Sequence, residues 1–436
     1  MSAVYSNPAS THELRPLILQ AAARVIARHP ALSITFMGAN EGAKNPYYAQ
    51  LSQIDLQDCI VFKTRKLEVK EESADADEER NELLELYHNT RFDERWGELP
   101  LWKLVILQEP SDQSRFVACF IWQHTIGDGH TGPSFHRTFQ AELSVLSAKS
   151  DTQDTETIVR SPQTALPSSL ESLHKLPLSP TYLLKMAWQD KFPNNSQAVW
   201  LGAPITAPTR SRFRSFVLSN EKTNKLLAVC RAHSVTMTAV IHALITLAIF
   251  SNLPQNKTRL KSSIAINLRR WISSDVLKED EMGNYVSTTY LDSKRPESME
   301  GIQWAEALRI KKIIDNEVQM GGKNASTGCL RWVGDMHKYF ASKTGQPRDA
   351  TFCLTNLGVF RPRNKDAASL PWYTERMFFS ESFDAAREAM DVTLVTGEDG
   401  CLTLGLIWGD GVVEENLVSD IFDKLKNLIL ATARHS

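Results

Sequence analysis

The residues of this chain best spaced for chemistry are a histidine, an aspartate and two flanking glycines in Gln123-His124-Thr125-Ile126-Gly127-Asp128-Gly129. Imidazole changes charge near neutrality, so His124 can take a proton from a hydroxyl and return it later in a reaction. The preceding run, Phe116-Val117-Ala118-Cys119-Phe120-Ile121-Trp122, is apolar and rich in β-formers, and it reads as a buried strand. A histidine delivered at the end of a rigid strand, before a Gly-Asp-Gly turn, is a base held in a fixed place. That points to an enzyme. The competing reading, a hydrogen-bonded turn residue, fits these few residues equally well.

Other chemistries find little support. Gly127-x-Gly129-x-x-Gly132 matches a dinucleotide-binding fingerprint between a strand and a helix. Asp128, however, would sit among the amides meant for a pyrophosphate. The next strand of that fold and its acidic residue should lie where the polar stretch Ser147–Leu166 runs. No G-x-S-x-G elbow, H-E-x-x-H pair or phosphate-binding G-x-x-x-x-G-K-[ST] loop occurs, so His124 is cast as a base acting directly on a substrate hydroxyl. The six cysteines (Cys59, Cys119, Cys230, Cys329, Cys353, Cys401) are far apart and without a C-x-x-C pair, which predicts buried reduced thiols and no metal site.

The elements that must position the histidine follow from periodicity. Helices are expected at Glu13–His29, Arg80–Thr90, Pro133–Ala148, Glu221–His233, Met237–Phe250 and Glu414–Ala431. Strands are expected at Leu32–Met37, Leu101–Gln108, Arg115–Trp122, Phe213–Leu218, Leu260–Asn267, Tyr285–Tyr290, Ala350–Thr355, Met390–Thr396 and Cys401–Trp408. The acidic run 71–79 reads as a solvated loop. From Ser147 to Arg210 the chain is polar and proline-rich, which reads as a surface crossover with one short helix near Tyr182–Gln189. The organisation is thus an N-terminal half (1–150), a crossover (151–211) and a C-terminal half (212–436).

The chain of 436 residues has a formal net charge of −2, so nothing electrostatic favours a nucleic-acid partner. No run of about 18 apolar residues suggests a membrane span, and no targeting or lipidation signal is present. A cytoplasmic location is expected.

His124-Thr125-Ile126-Gly127-Asp128-Gly129 resembles the H-x-x-x-D-G motif of the chloramphenicol acetyltransferase-like superfamily, and the surrounding sequence is most similar to its fungal alcohol acetyltransferase-type members. The likeness extends to Ile266-Asn267-Leu268-Arg269-Arg270, to Met282-Gly283-Asn284-Tyr285, to Cys353-Leu354-Thr355-Asn356-Leu357-Gly358 and to the strand pair and helix over 390–431. Three departures stand out. Gln123 replaces the first of the paired histidines of condensation domains, which favours ester formation on a free hydroxyl. The D-F-G-W-G segment of plant members is absent. The strand that family members carry before the first helix is not apparent ahead of Glu13.

The resemblance implies an α/β fold of two similar halves, each a mixed sheet flanked by helices, with the active-site channel between them. It implies an acyl-CoA-dependent O-acyltransferase in which His124 deprotonates an alcohol that attacks the thioester directly. Asn356, or the Thr355 hydroxyl beside it, is the expected oxyanion donor. Asp128 is expected to turn from the substrate and form a bidentate pair with Arg269, or with Arg270 by adjacency, and Gly129 is expected to be a structural residue of the motif. The expected partners are a small alcohol and acyl-CoA as co-substrate, with no permanently bound cofactor and no metal. CoA-contacting residues are not readable, and a monomer is expected. A carrier-protein thioester as donor and a non-catalytic binding module are the alternative readings.

Overall fold

The computed structural model describes residues 1–434 apart from 11, 39–45, 67–76, 93–94, 111, 149–155, 192–196 and 363–370. Residues 71–76 of the acidic run and 149–155 of the crossover therefore lie outside the described residues. In chain order the strands of the first half are β1 (Ser2–Ser6), β2 (Ile34–Met37), β3 (Tyr47–Gln50), β4 (Gln53–Asp55), β5 (Ile60–Thr64), β6 (Trp102–Gln108) and β7 (Arg115–Trp122). After β8 (Ile158–Arg160) in the crossover come β9 (Ser211–Leu218), β10 (Arg259–Asn267), β11 (Val286–Lys294) and β12 (Phe352–Val359). The chain ends through β13 (Tyr373–Phe378), β14 (Met390–Thr396) and β15 (Leu402–Gly409).

Two mixed sheets result. The first is five-stranded, β13-β1-β7-β6-β5, with β5 and β6 parallel. The second is six-stranded, β11-β10-β12-β14-β15-β9, with β10, β12 and β14 parallel to one another. Each is covered by helices on one face, as the sequence reading expects. The strand that seemed missing before the first helix is present. β1 lies inside the first sheet, hydrogen-bonded on both sides. Its neighbour β13 arrives from the C-terminal part of the chain.

Alternation fixes which residues reach the site. In β7, Phe116, Ala118 and Phe120 pack with the helices Leu14–Arg28 and Thr131–Ser147, and Phe120 stacks on Phe135 with ring centroids 4.0 Å apart. Val117 and Cys119 point the other way, into the core shared with the second half. In the second sheet, Ile264, Leu354, Val392 and Leu394 join the core around the buried helix Met237–Asn252, which Thr236 caps. Residues of opposite parity, including Cys353, Thr355, Asp391 and Thr393, lie on the other face of the sheet. Slipping any of these strands by one residue would exchange the two faces.

Asp77, at the end of the acidic run, is not solvated. It is buried, caps the helix Glu78–His88 and receives two hydrogen bonds of 2.9 Å from the Arg65 guanidinium.

Candidate active site

β7 ends at Trp122, and His124 opens the 3-10 turn His124–Ile126 with its side chain exposed. The helix Thr131–Ser147 starts just beyond, so the motif occupies a short turn clamped between two packed elements. Trp122 Nε1 donates to Gly127 O at 2.8 Å, holding the turn against the strand end. Gly129 is required for close approach, since a Cβ there would lie 2.8 Å from Leu357 Cδ2 on β12.

The structure brings Asp128 and Arg269 together although 141 residues separate them. Arg269 Nη1 donates to Asp128 Oδ2 at 2.6 Å, and both side chains are buried. The pair is not bidentate. Asp128 Oδ1 is taken by the His130 amide at 2.9 Å, and Oδ2 also accepts from the Tyr285 amide at 2.8 Å. Arg269 Nη2 turns instead to the main-chain oxygens of Glu281 and Gly283, at 3.1 and 3.0 Å. Arg269 Nη2 and Asp128 Oδ1 are thus used to tie loops, which a bidentate contact would forgo, while Arg269 Nε is left without a hydrogen-bond partner among the described residues. Arg270 is exposed.

The 282–285 segment grips the motif turn from the second half. The Asp128 amide donates to Gly283 O at 3.1 Å. Asn284 Nδ2 lies 3.1 Å from His124 O and 3.2 Å from His124 Nδ1. His130, which follows Gly129, accepts at Nε2 from Asn267 Nδ2 at 2.8 Å, and burial together with the Arg269 charge lowers its pKa. A neutral imidazole suits that acceptor role.

Asn356 does not stand ready as an oxyanion donor. Its Nδ2 donates to Thr238 Oγ1 at 3.0 Å and its Oδ1 accepts from the Gly358 amide at 2.8 Å. Strand parity explains this: Asn356 is registered with Leu394 and faces the Met237–Asn252 helix, whereas Thr355 is registered with Thr393 on the opposite face. Thr355, the alternative, is left as the candidate.

Glu381, on the segment between β13 and β14, carries no sequence signal and was not anticipated. It is half-buried. Burial raises its carboxyl pKa, and His124 is the strongest of the charges that pull it back down. Asp391, buried on the non-helical face of β14, is pushed well up by burial and then by Glu381 and Glu388. Of the thiols, burial lifts Cys59 to about 12 and Cys119 and Cys230 to about 11.

With this geometry in view, the comparisons are informative. The family model described as alcohol acetyltransferase matches residues 12–428. The chain belongs to the alcohol acetyltransferase family, and so to the acyltransferases. It is 31% identical over 426 residues to a probable alcohol acetyltransferase, crmB, of Aspergillus fumigatus, covering 95% of this chain and 89% of that protein. It is 22% identical over 453 residues to the probable alcohol acetyltransferase FCK4 of Fusarium pseudograminearum, covering 98% and 88%. Among solved structures, the TRI3 trichothecene 15-O-acetyltransferase of Fusarium sporotrichioides superimposes with a TM-score of 0.73 at 15% identity, covering 99% of this chain and 90% of that one. A condensation domain of the CDA synthetase gives 0.65 at 12% identity, covering 99% and 89%. These two likenesses establish the two-lobed fold. Among the described residues no single helix is long and apolar enough to cross a membrane.

Proposed function

We propose that this chain transfers an acetyl group, or another short acyl group, from its CoA thioester to a hydroxyl of a small, secondary-metabolite-like alcohol in the cytoplasm. His124 takes the hydroxyl proton as the oxygen attacks the thioester carbonyl. The tetrahedral oxyanion is met by the Thr355 hydroxyl, and collapse expels the CoA thiolate, which His124 reprotonates. The observation that carries this reading is an exposed imidazole fixed where the two halves meet, its loop locked by the buried Asp128–Arg269 pair.

Direct attack is favoured over an acyl-enzyme because the buried thiols have raised pKa values and make poor nucleophiles. Both substrates must then be bound together. Mass-spectrometric screening of hydroxylated metabolites with acetyl-CoA and longer acyl-CoAs tests the reaction. His124→Ala should lower transfer by a factor on the order of 10²–10⁴ with unchanged melting. Substantial transfer by that variant would remove His124 from the role of base. Incubation with radiolabelled acetyl-CoA alone should leave the denatured protein unlabelled. Stoichiometric label that an acceptor releases would point to a covalent intermediate instead.

A further inference from the structure

At the Arg115 end of β7, away from the motif, four arginines line one cleft of about 370 Å³, its open mouth included. Arg65 follows β5, Arg80 stands in the helix Glu78–His88, Arg115 opens β7 and Arg376 belongs to β13. The acidic residues in the same wall are Asp77 and Glu109, so the lining carries four positive charges against two negative ones. Seven strand steps of about 3.3 Å put the cleft roughly 23 Å from Trp122, where the strand delivers His124.

Three of these arginines have a carboxylate in contact. Arg65 bonds both oxygens of Asp77 at 2.9 Å and lies 3.0 Å from Glu109, Arg115 bonds Glu375 at 2.8 Å, and Arg376 bonds Asp399 at 3.3 Å. Arg80 is the exception, although its exposure is only 2%. The carboxylate oxygen nearest to it, Asp77 Oδ2, is 3.8 Å from Nη1 and already held by Arg65. Its Nη2 donates to Asn81 Oδ1 at 2.9 Å and to Ser215 Oγ at 3.2 Å, and the guanidinium lies 3.4 Å above the Phe378 ring. Its Nε is buried with no hydrogen-bond partner among the described residues. Burial pulls its pKa down to about 10, so it is still charged at neutral pH. A charge taken out of water and left incompletely paired is costly. Arg115 and Arg376 spend Nε and Nη2 on their partners, so that Nη1 of Arg80, Arg115 and Arg376 makes no hydrogen bond among the described residues.

We infer that this cleft binds a small inorganic oxyanion, phosphate or sulfate, held by Arg80 inside and by Arg115 and Arg376 at the mouth. Guanidinium forks match the spaced oxygens of a tetrahedral anion better than they match a single point acceptor such as chloride. A doubly charged anion also cancels the surplus of the walls. Because Arg80 bonds Ser215 on β9, the anion would join the first sheet to the second at the seam between the halves.

Calorimetric titration of the full chain with sodium phosphate, and separately with sodium sulfate, tests this at an ionic strength held constant with sodium chloride. One saturable site per chain is expected, and the melting temperature should rise along the same curve. Arg80→Gln should abolish binding. Arg115→Gln and Arg376→Gln, at the partly exposed mouth, should each weaken it about tenfold, and they carry the test if the Arg80 variant does not fold. Coenzyme A added to the phosphate-loaded protein should leave the phosphate in place, since the cleft is remote from the histidine. Absence of saturable binding, equal binding of chloride, binding that none of the variants weakens, or displacement by coenzyme A overturns the inference. These measurements need no acceptor and no turnover, so they stand apart from the proposed acyl transfer.

Discussion

At the scale of single residues, the motif was legible because its chemistry is contiguous: His124, Asp128 and Gly129 lie within one turn. What completes the site was not legible, because the contacts span distances in sequence that no periodicity reports. Asn284 reaches His124 from 160 residues away, and Glu381 sits in a loop of mixed character. Asn356 illustrates a different failure: its neighbourhood was readable and its strand was found, but one step of parity decides whether a side chain meets the helix or the other half. Thr355→Val, which keeps the shape and deletes the hydroxyl, should therefore reduce kcat at little cost in melting temperature, by about 10²-fold if it supplies an oxyanion contact. Asn356→Ala should instead act mainly on stability, through loss of its bonds to Thr238 and Gly358. Steady-state rates alongside thermal melts separate the two.

At the scale of elements, the amphipathic helices and most of the long strands were found within a residue or two, because one buried face imposes a clear period, whereas β11 and β12 each run four residues past the expected end. β1 escaped notice as a five-residue strand with serines at both ends. β13 escaped because its central Glu375 and Arg376 look unlike a strand until their partners are seen: Arg115 bonds Glu375 at 2.8 Å and Arg376 bonds Asp399 at 3.3 Å. The helix Trp304–Gln319 was also passed over, although Ala307 and Ile310 are buried on one face. The ties between elements give two predictions. Asp128→Ala or Arg269→Ala should each destabilise by roughly 3–5 kcal/mol, with the double variant less damaged than the sum, because each single change strands a buried charge. Additive denaturant midpoints would show that the pair does not hold the halves. Gly129→Ala should cost about 1–3 kcal/mol by forcing Leu357 aside, and Leu357→Ala should recover part of that loss.

At the scale of the whole molecule, interior histidines held neutral by burial weigh on acid stability, His136 and His242 among them together with His88. His136, hydrogen-bonded to Tyr5 Oη at 2.9 Å, is lowered to about 3 by burial, and His242, at 2.8 Å from Ser262 Oγ, to about 4. Above about pH 6.5 neither state of the protein carries these protons. Below it the unfolded chain binds them and the folded chain does not, so stability falls as pH drops towards the folded-state values. Each histidine contributes a slope of about 1.4 kcal/mol per pH unit. Urea midpoints between pH 7 and 5 should fall in wild type, and His242→Gln should flatten the decline. An unchanged slope would mean that His242 is protonated in the fold. The two-lobed plan itself was legible from the resemblance, but the route of the chain between sheets was not, since strand order within a sheet leaves no trace in hydropathy. That route has a practical outcome for anyone breeding hybrid enzymes from related parents. A seam cut anywhere in the crossover would marry β1 and β7 of one parent to β13 of the other, and Ser6 and Arg115 would meet a foreign residue at the Glu375 position. Hybrids should inherit 1–148 and 372–379 from one source, with the remainder exchanged around them.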